Sequence, residues 1–279
     1  MELRQISDDF FTIANMAFLI NKTGNGSYDF DFRNHFECRS VYTTIETPVL
    51  LRIGPIKDYR GIEVALGKKG MKLLVSEEEH LICSTIEHWY PILKEKTPYT
   101  KIYEKLPKLD ELLLNFSFPV FVKGNRQTNR HKKSQCIIEN INQYEKLFEV
   151  WNEDSILSWQ KVAVREYVPL QVIDQESFPE MVPISYEFRF FYFQQKCMAF
   201  GSYWTIGKSY SLPESELKEA LRLTDWVAKK LSANFVAIDI AKTERGEWIL
   251  IEVNDAQESG FTGVNPFVLW NHMIEIIKT

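Results

Sequence analysis

A few polar residues interrupt three otherwise apolar stretches of the chain, and each stretch carries a charge where a core strand would carry none. FVAIDIA at 235–241 holds Asp239, ILIEVND at 249–255 holds Glu252 and Asn254, and EFRFFYF at 187–193 holds Glu187 and Arg189. Strand side chains point to opposite faces with a period of two. Asp239 therefore opposes Val236, Ile238 and Ile240. Glu252 and Asn254 share one face, with Ile251 and Val253 on the other. Glu187 and Arg189 share a face against Phe188, Phe190 and Tyr192. An antiparallel sheet often turns one such face to water. Short oxygen donors grouped on adjacent strands are instead the makings of a site.

The same reading predicts elements along the rest of the chain. The first 45 residues, with a turn-rich patch at 21–26 and a loosely alternating aromatic run at 28–36, read as irregular or weakly stranded. A strand at 48–54, a helix at 56–66 stopped by GKKG, and a strand at 71–76 have the size of a βαβ unit with parallel pairing. A helix follows at 77–86. The charged, twice-proline stretch 94–107 reads as a crossing between domains. Next come a short helix in LDELLLNF, a strand in PVFVKG, a basic loop, a helix at 142–153 and a strand at 162–170. A hairpin at 187–204 turns at 194–196. A helix from a capping signal at 211 to 231 precedes the strands at 235–241 and 247–253. The order predicts an α+β arrangement after a small α/β start, with a cleft between lobes.

Composition changes this picture little. The 279 residues are 45% hydrophobic and 25% charged, with a formal net charge of -5, which gives no basic bias toward nucleic acid. No apolar run reaches the length of a membrane span, and the N-terminus has no convincing cleavage site, so a cytoplasmic protein is expected. Cys38, Cys83, Cys136 and Cys197 have no metal-ligand spacing and read as free thiols.

The candidate chemistry is that of a metal and a polyanion. Asp239, Glu252 and Asn254 are hard oxygen donors that suit Mg2+, and a cation would relieve the repulsion between the two acids. Arg189 offers a planar fork to a phosphate or carboxylate. Lys123 ends the apolar strand PVFVKG just before Gly124, and Arg126, Arg130, His131, Lys132 and Lys133 follow it as a cationic cover. The glycine-rich P-loop and dinucleotide fingerprints are absent, as are a nucleophile elbow and a Cys–His pairing.

In that order, PVFVKG, REYVPL, EFRFF, VAIDIA and IEVND resemble the ATP-grasp superfamily over about 97–265, in particular its relocated-lysine branch. The resemblance implies an ATP-grasp fold, two α+β lobes with the nucleotide between them, behind a small α/β pre-grasp domain. The implied boundaries are 1–95 for the pre-grasp domain and 96–279 for the grasp, with a small lobe at 96–166 and a large lobe at 167–279. It implies that Lys123 contacts the nucleotide phosphates, that the loop 125–134 with Lys132 and Lys133 closes over them, and that Glu166, Tyr167 and Val168 form the hinge beside the adenine. It implies further that Glu187 and Arg189 line the cleft and that Asp239, Glu252 and Asn254 bind Mg2+. The upstream lysine of many members has no secure counterpart here, and Arg165 takes its place.

ATP and Mg2+ are the implied cofactors. The implied activity is carboxylate–amine ligation, amide or peptide, through an acylphosphate with release of ADP and phosphate. Lys123, Arg165 and Arg189 supply fixed positive charge in that reaction. The expected partner is an amino acid or peptide, with neither nucleic acid nor membrane. Tyr203, Trp204, Lys208, Tyr210 and Gln257 lie in segments within reach of the acceptor. The competing readings are an ATP-binding protein or phosphotransferase of the same fold without ligation, and a non-catalytic interaction protein.

Overall fold

The computed structural model describes residues 7–41, 46–54, 56, 58–126, 132–154 and 157–279. The first sheet takes β1 (Asp9–Ile13), β2 (Met16–Ile20), β3 (Thr47–Arg52) and β4 (Met71–Leu73), in that spatial order. β1 and β2 form an antiparallel hairpin, and β2, β3 and β4 run parallel. The expected βαβ unit is therefore present, with α2 (Tyr59–Gly67) between its strands, after the short α1 (Phe32–His35). Within residues 7–41, which their pattern gives as irregular or weakly stranded, stand β1, β2 and α1. β2 is buried along its whole length, because both faces of this sheet are covered and no polar alternation is needed.

The expected single helix after β4 is two, α3 (Glu77–Ser84) and α4 (Ile86–Leu93), broken at the extended Thr85. A capping box between Ser76 and Glu79 starts α3. The 94–107 stretch is not only a crossing: it contains β5 (Thr100–Tyr103), an outer strand of a second, antiparallel sheet. That sheet comprises β5, β6 (Val120–Gly124), β7 (Ile137–Ile138) and β8 (Val162–Glu166) in the order β5-β8-β6-β7. With α5 (Leu109–Leu113), α6 (Lys133–Cys136) and α7 (Ile141–Trp151) it makes the small lobe. Leu112, Val122, Ile138, Leu147 and Trp151 lie in its core.

The large lobe begins with a two-stranded sheet, β9 (Val172–Asp174) and β10 (Ile184–Ser185). Its main sheet takes β11 (Glu187–Phe193), β12 (Lys196–Ser202), β13 (Phe235–Lys242) and β14 (Trp248–Asp255) in the antiparallel order β12-β11-β13-β14. The β11–β12 hairpin turns on Gln194 and Gln195, both left-handed at φ 47 and 62, the backbone that matches strand twist. α8 (Glu214–Leu231) starts later than its sequence signal, with Pro213 at the N-cap and no side-chain cap. α9 (Pro266–Lys278), for which the pattern gave no element, closes the chain.

Both faces of this sheet are packed over much of their area. Phe188, Phe190, Tyr192, Ile238 and Val253 pack against α4 and α8. On the other face, Phe191, Phe193 and Ala237 share a core with Phe11, Phe18 and Leu50 of the first sheet and Trp270 of α9. The face that carries Glu187, Arg189 and Asp239 is thus apolar at one end and charged at the other, and it is buried throughout.

Candidate active site

Strand register assembles the charged end. Arg189 on β11 lies directly across from Asp239 on β13, and Asp239 across from Glu252 on β14. Arg189 grips Asp239 with both arms of its fork, Nε to Oδ1 at 2.7 Å and Nη2 to Oδ2 at 2.6 Å, and donates from Nη1 to the Gly260 carbonyl at 2.9 Å. Lys123, at the end of β6 in the small lobe, places its ammonium on Glu252 Oε1. A row of charges, positive, negative, negative, positive, therefore crosses from the large lobe to the small one.

β14 reaches this row through a bulge. Asp239 pairs with Glu252 but Ile240 pairs with Leu250, so Ile251 is the extra residue. Simple alternation puts Ile251 beside Val253. Instead Leu250 and Val253 enter the core under the sheet, while Ile251 lines the interlobe cleft. Its carbonyl accepts from Arg165 Nη1 at 2.8 Å. Arg165, 5% exposed, also bonds Thr100 Oγ1 at 3.1 Å and Thr97 Oγ1, so its charge is fixed against the cleft wall.

The cleft holds about 990 Å³ of empty space, part of it open to solvent. Lys123, Arg165, Glu187 and Glu252 form its charged end, while Val168, Leu170, Trp204 and Ile249 are among the apolar residues of its walls. Glu166, Tyr167 and Val168 line it too, after β8 ends. The Glu166 N–H is donated to the Tyr99 carbonyl at 2.8 Å and is not open to a ligand.

Burial raises Glu187 to about 8, with the negative Asp239 adding to the effect. Burial likewise raises Asp239, against the pull of Arg189. For Glu252 burial works in the same direction but is outweighed by the Lys123 ammonium, which holds that carboxyl below its ordinary value. Burial lowers Arg165 to about 10, with Glu252 opposing. The two acids and the carboxamide of Asn254, whose Nδ2 lies 3.4 Å from Asp239 Oδ2, form a hard oxygen set. Lys123 and Arg189 supply the counter-charge that a divalent ion would share. Donors of these types suit Mg2+ in chemistry, and in the ligand-free structure both Asp239 oxygens are held by the Arg189 fork.

A second cavity adjoins the first, and Glu252 and Tyr203 line both. Asn254 faces this second cavity, together with Arg126, Glu258 and Thr205. Its far wall is the N-terminal turn, through Asn25, Ser27 and Tyr28. That turn is tied internally: Asp29 accepts from the Thr23 and Gly24 N–H groups at 2.8 Å, and Asn25 Oδ1 from the Ser27 N–H at 2.9 Å. It is tied to the grasp by Phe261 N to the Ser27 carbonyl at 2.6 Å.

The segment after Asn254 is locked to the first sheet. Arg52 Nη1 donates to the carbonyls of Ala256, Gln257 and Ser259 at 3.0, 3.3 and 2.5 Å. Gln257 Oε1 accepts from the Leu51 N–H at 2.9 Å. Asp255 Oδ2 lies 2.8 Å from His80 Nδ1 and accepts from Gln257 Nε2 at 3.1 Å. Ser84 Oγ lies 3.4 Å from that same His80 nitrogen, so the three groups do not form a relay through the imidazole.

The structure thus brings Lys123, Arg165, Glu187, Arg189, Asp239, Glu252 and Asn254 together and sets 166–168 on the cleft wall. It places Lys132 and Lys133 elsewhere. Lys132 bridges Met181 and the Lys133 N–H bonds the Glu180 carbonyl, and neither lysine lines the cleft. Arg130 and His131 lie outside the described residues. Of the segments expected near the acceptor, Tyr203 is at the junction, but Trp204 lines the first cavity and Gln257 is wholly buried as a strut. The Tyr210 hydroxyl bonds the Glu187 carbonyl at 2.6 Å, and the Lys208 N–H bonds Asp174; neither residue lines the second cavity. The N-terminal turn and Arg52 carried no chemical signal in the sequence, because their partners lie about 200 residues or more along the chain.

A family model described as an ATP-grasp domain, the third family of its clade, matches residues 110–273, more than half of the chain. No curated protein matches the sequence. The fold is similar to that of the VanG D-Ala:D-Ser ligase from Enterococcus faecalis, at TM-score 0.59 and 13% identity, covering 85% of this chain and 73% of that one. It is similar to a D-alanine–D-alanine ligase from Bacillus anthracis solved with ATP, at TM-score 0.57 and 18% identity, covering 82% and 78%. A RimK domain ATP-grasp protein from Sphaerobacter thermophilus gives TM-score 0.54 at 11% identity, covering 83% and 78%. At such identities the likeness is one of fold.

Proposed function

The chain belongs to the ATP-grasp superfamily, in the third family of the relocated-lysine clade, which sets it among the ATP-dependent ligases, and on that premise we propose that it joins a carboxylate to an amine through an acylphosphate. The observation that carries this reading is the pair of cavities meeting at Glu252 and Tyr203. One is apolar along much of its length, with the cations Lys123 and Arg165 beside Glu187 and Glu252 at its inner end. The other is polar and opens onto that same inner end.

In this reading the base lies against Val168, Leu170 and Trp204, and the phosphates run toward Lys123 and Arg165. Both cations sit in a buried site, where fixed charge acts more strongly than in water. Asp239, Glu252 and Asn254 would hold Mg2+, which when bound draws the terminal phosphate oxygens together and offsets their charge. Arg189 holds the Asp239 carboxylate in place. A substrate carboxylate in the second cavity attacks the γ-phosphoryl group as its bond to the bridging oxygen breaks and ADP leaves, and an amine then displaces phosphate from the acyl carbon. No side chain is required as a nucleophile.

Calorimetric titration with a non-hydrolysable ATP analogue, with and without Mg2+, tests the reading. Binding that depends on Mg2+ and is lost in Glu252→Ala is the expected result. A folded wild-type protein that gives neither heat nor a thermal shift would remove the nucleotide site.

A further inference from the structure

The second cavity has a charge arrangement of its own. Three of its charged lining side chains are already committed. Asp255 is bonded by His80 and Gln257, Arg189 is held by Asp239 and Gly260, and Glu252 carries Lys123. Two charged residues stand differently. Arg126 Nη2 is 3.5 Å from Glu258 Oε2, a long contact, and the other Glu258 oxygen accepts from the Ile56 N–H.

Both residues are held by their backbones. Arg126 is fixed by its N–H on Gln160 Oε1 at 2.9 Å, beside Asn125, whose side chain bonds Glu87 at 3.0 Å. Glu258 sits in the turn that Arg52 anchors. A loosely paired cation and anion on rigid supports, in a cavity that touches the reacting end of the cleft, can each take a partner from a guest.

We propose that Glu258 and Arg126 are the specificity pair of the acceptor site, Glu258 taking the amine and Arg126 the adjacent carboxylate of a free amino acid. This rests on the ligase reading above and deepens it. A zwitterion with its two charges a few bonds apart replaces the Arg126–Glu258 contact with two shorter ones, and charge-assisted bonds of that kind are the strong ones. Asn25, Ser27 and Tyr28 then bound the space left for its side chain.

The bound ammonium first gives a proton to the Glu258 carboxylate, which frees the nitrogen lone pair to form the new bond to the acyl carbon. The carbon–oxygen bond to phosphate then breaks with its electron pair on the phosphate, which takes the second proton from the nitrogen. Burial, with the negative Asp255 nearby, raises Glu258 to about 7, which suits a group that holds such a proton near neutrality.

The test uses the full chain saturated with Mg2+ and a non-hydrolysable ATP analogue. Saturation-transfer NMR would survey the common L-amino acids at millimolar concentration, and titration would follow those that bind. At least one binds. Its N-acetyl and carboxamide derivatives bind at least about tenfold more weakly, the equivalent of about 1.4 kcal/mol each.

Glu258→Gln, which keeps an acceptor for the Ile56 N–H, loses the amino acid but holds the ATP analogue within about twofold, a change well under 1 kcal/mol. Ser27→Trp, filling the cavity from an exposed position, does the same. Analogue binding with no amino acid bound, or amino acid binding indifferent to N-acetylation and to Glu258→Gln, overturns the pair and leaves the nucleotide site standing. A wild-type protein that fails to bind the analogue overturns both.

Discussion

The Lys123 ammonium rests on the Glu252 carboxylate, so an ion pair joins the two lobes at the point where nucleotide phosphates would enter. Lys123 is 4% exposed. In the ligand-free state each side chain neutralises the other, and a phosphate with its metal would separate them without leaving either charge unpaired.

Lys123→Met removes the cation and leaves Glu252 buried without it. We expect the analogue to bind at least about tenfold more weakly, and the folded protein to lose stability as well. Isothermal titration and urea unfolding measure the two effects separately. Nucleotide affinity unchanged beyond error would show that the ammonium serves only the interlobe contact.

Arg189 and Asp239 form a fully buried, two-armed pair. Arg189→Ala leaves Asp239 without that partner in the core and should cost about 3–5 kcal/mol of stability. Replacing both at once, Arg189→Met with Asp239→Leu, should recover part of the loss. Losses that simply add would show the two side chains to be independent.

Arg165 tests the relocated cation. Arg165→Ala should weaken nucleotide binding, whereas Thr97→Val, which removes one hydroxyl partner and no charge, should leave affinity within about twofold. Equal stability losses in both variants, with nucleotide affinity untouched, would make Arg165 a structural strut.

Glu187 predicts the pH response. Its folded value of about 8 lies above the ordinary 4.5, so between these values the folded chain holds a proton that the unfolded chain has released. Stability from this group is greatest below the lower value, falls as pH rises, and levels off above pH 8. Glu258, raised to about 7, contributes with the same sign over a narrower window. Thermal melts of Glu187→Gln should show a flatter decline than wild type across this range. An identical slope would place the titrating groups elsewhere.

The charged face was legible because β11 and β13 alternate strictly and their acids interrupt apolar runs. The bulge at Ile251 was not, since no glycine or proline marks it and only the pairing with β13 reveals the extra residue. β5 was hidden by the charges around it: as an outer strand it needs little apolar surface, and its lysine extends to Asn115 at 3.1 Å. The ATP-grasp fold followed from five short motifs in order. The N-terminal wall of the second cavity did not, because Asn25, Ser27 and Tyr28 sit in a turn whose position is set by long-range bonds to Arg52 and Phe261. Lys132 and Lys133 were assigned by the charge of their loop and its likeness to a phosphate cover, and in the ligand-free structure neither lines the cleft.

The core shared by Phe11, Phe18, Phe191, Phe193 and Trp270 also constrains how the protein can open. Lifting the first sheet from the large lobe would strip that aromatic cluster of its packing and break the Arg52 and Gln257 bonds together. The first sheet and the large lobe therefore share one core, while the small lobe meets that body through α4, with Lys161 on Glu87, and through Arg165 on the Ile251 carbonyl. In mechanical terms the second cavity, apart from Arg126, is walled by that one body, whereas the cleft is walled by both lobes.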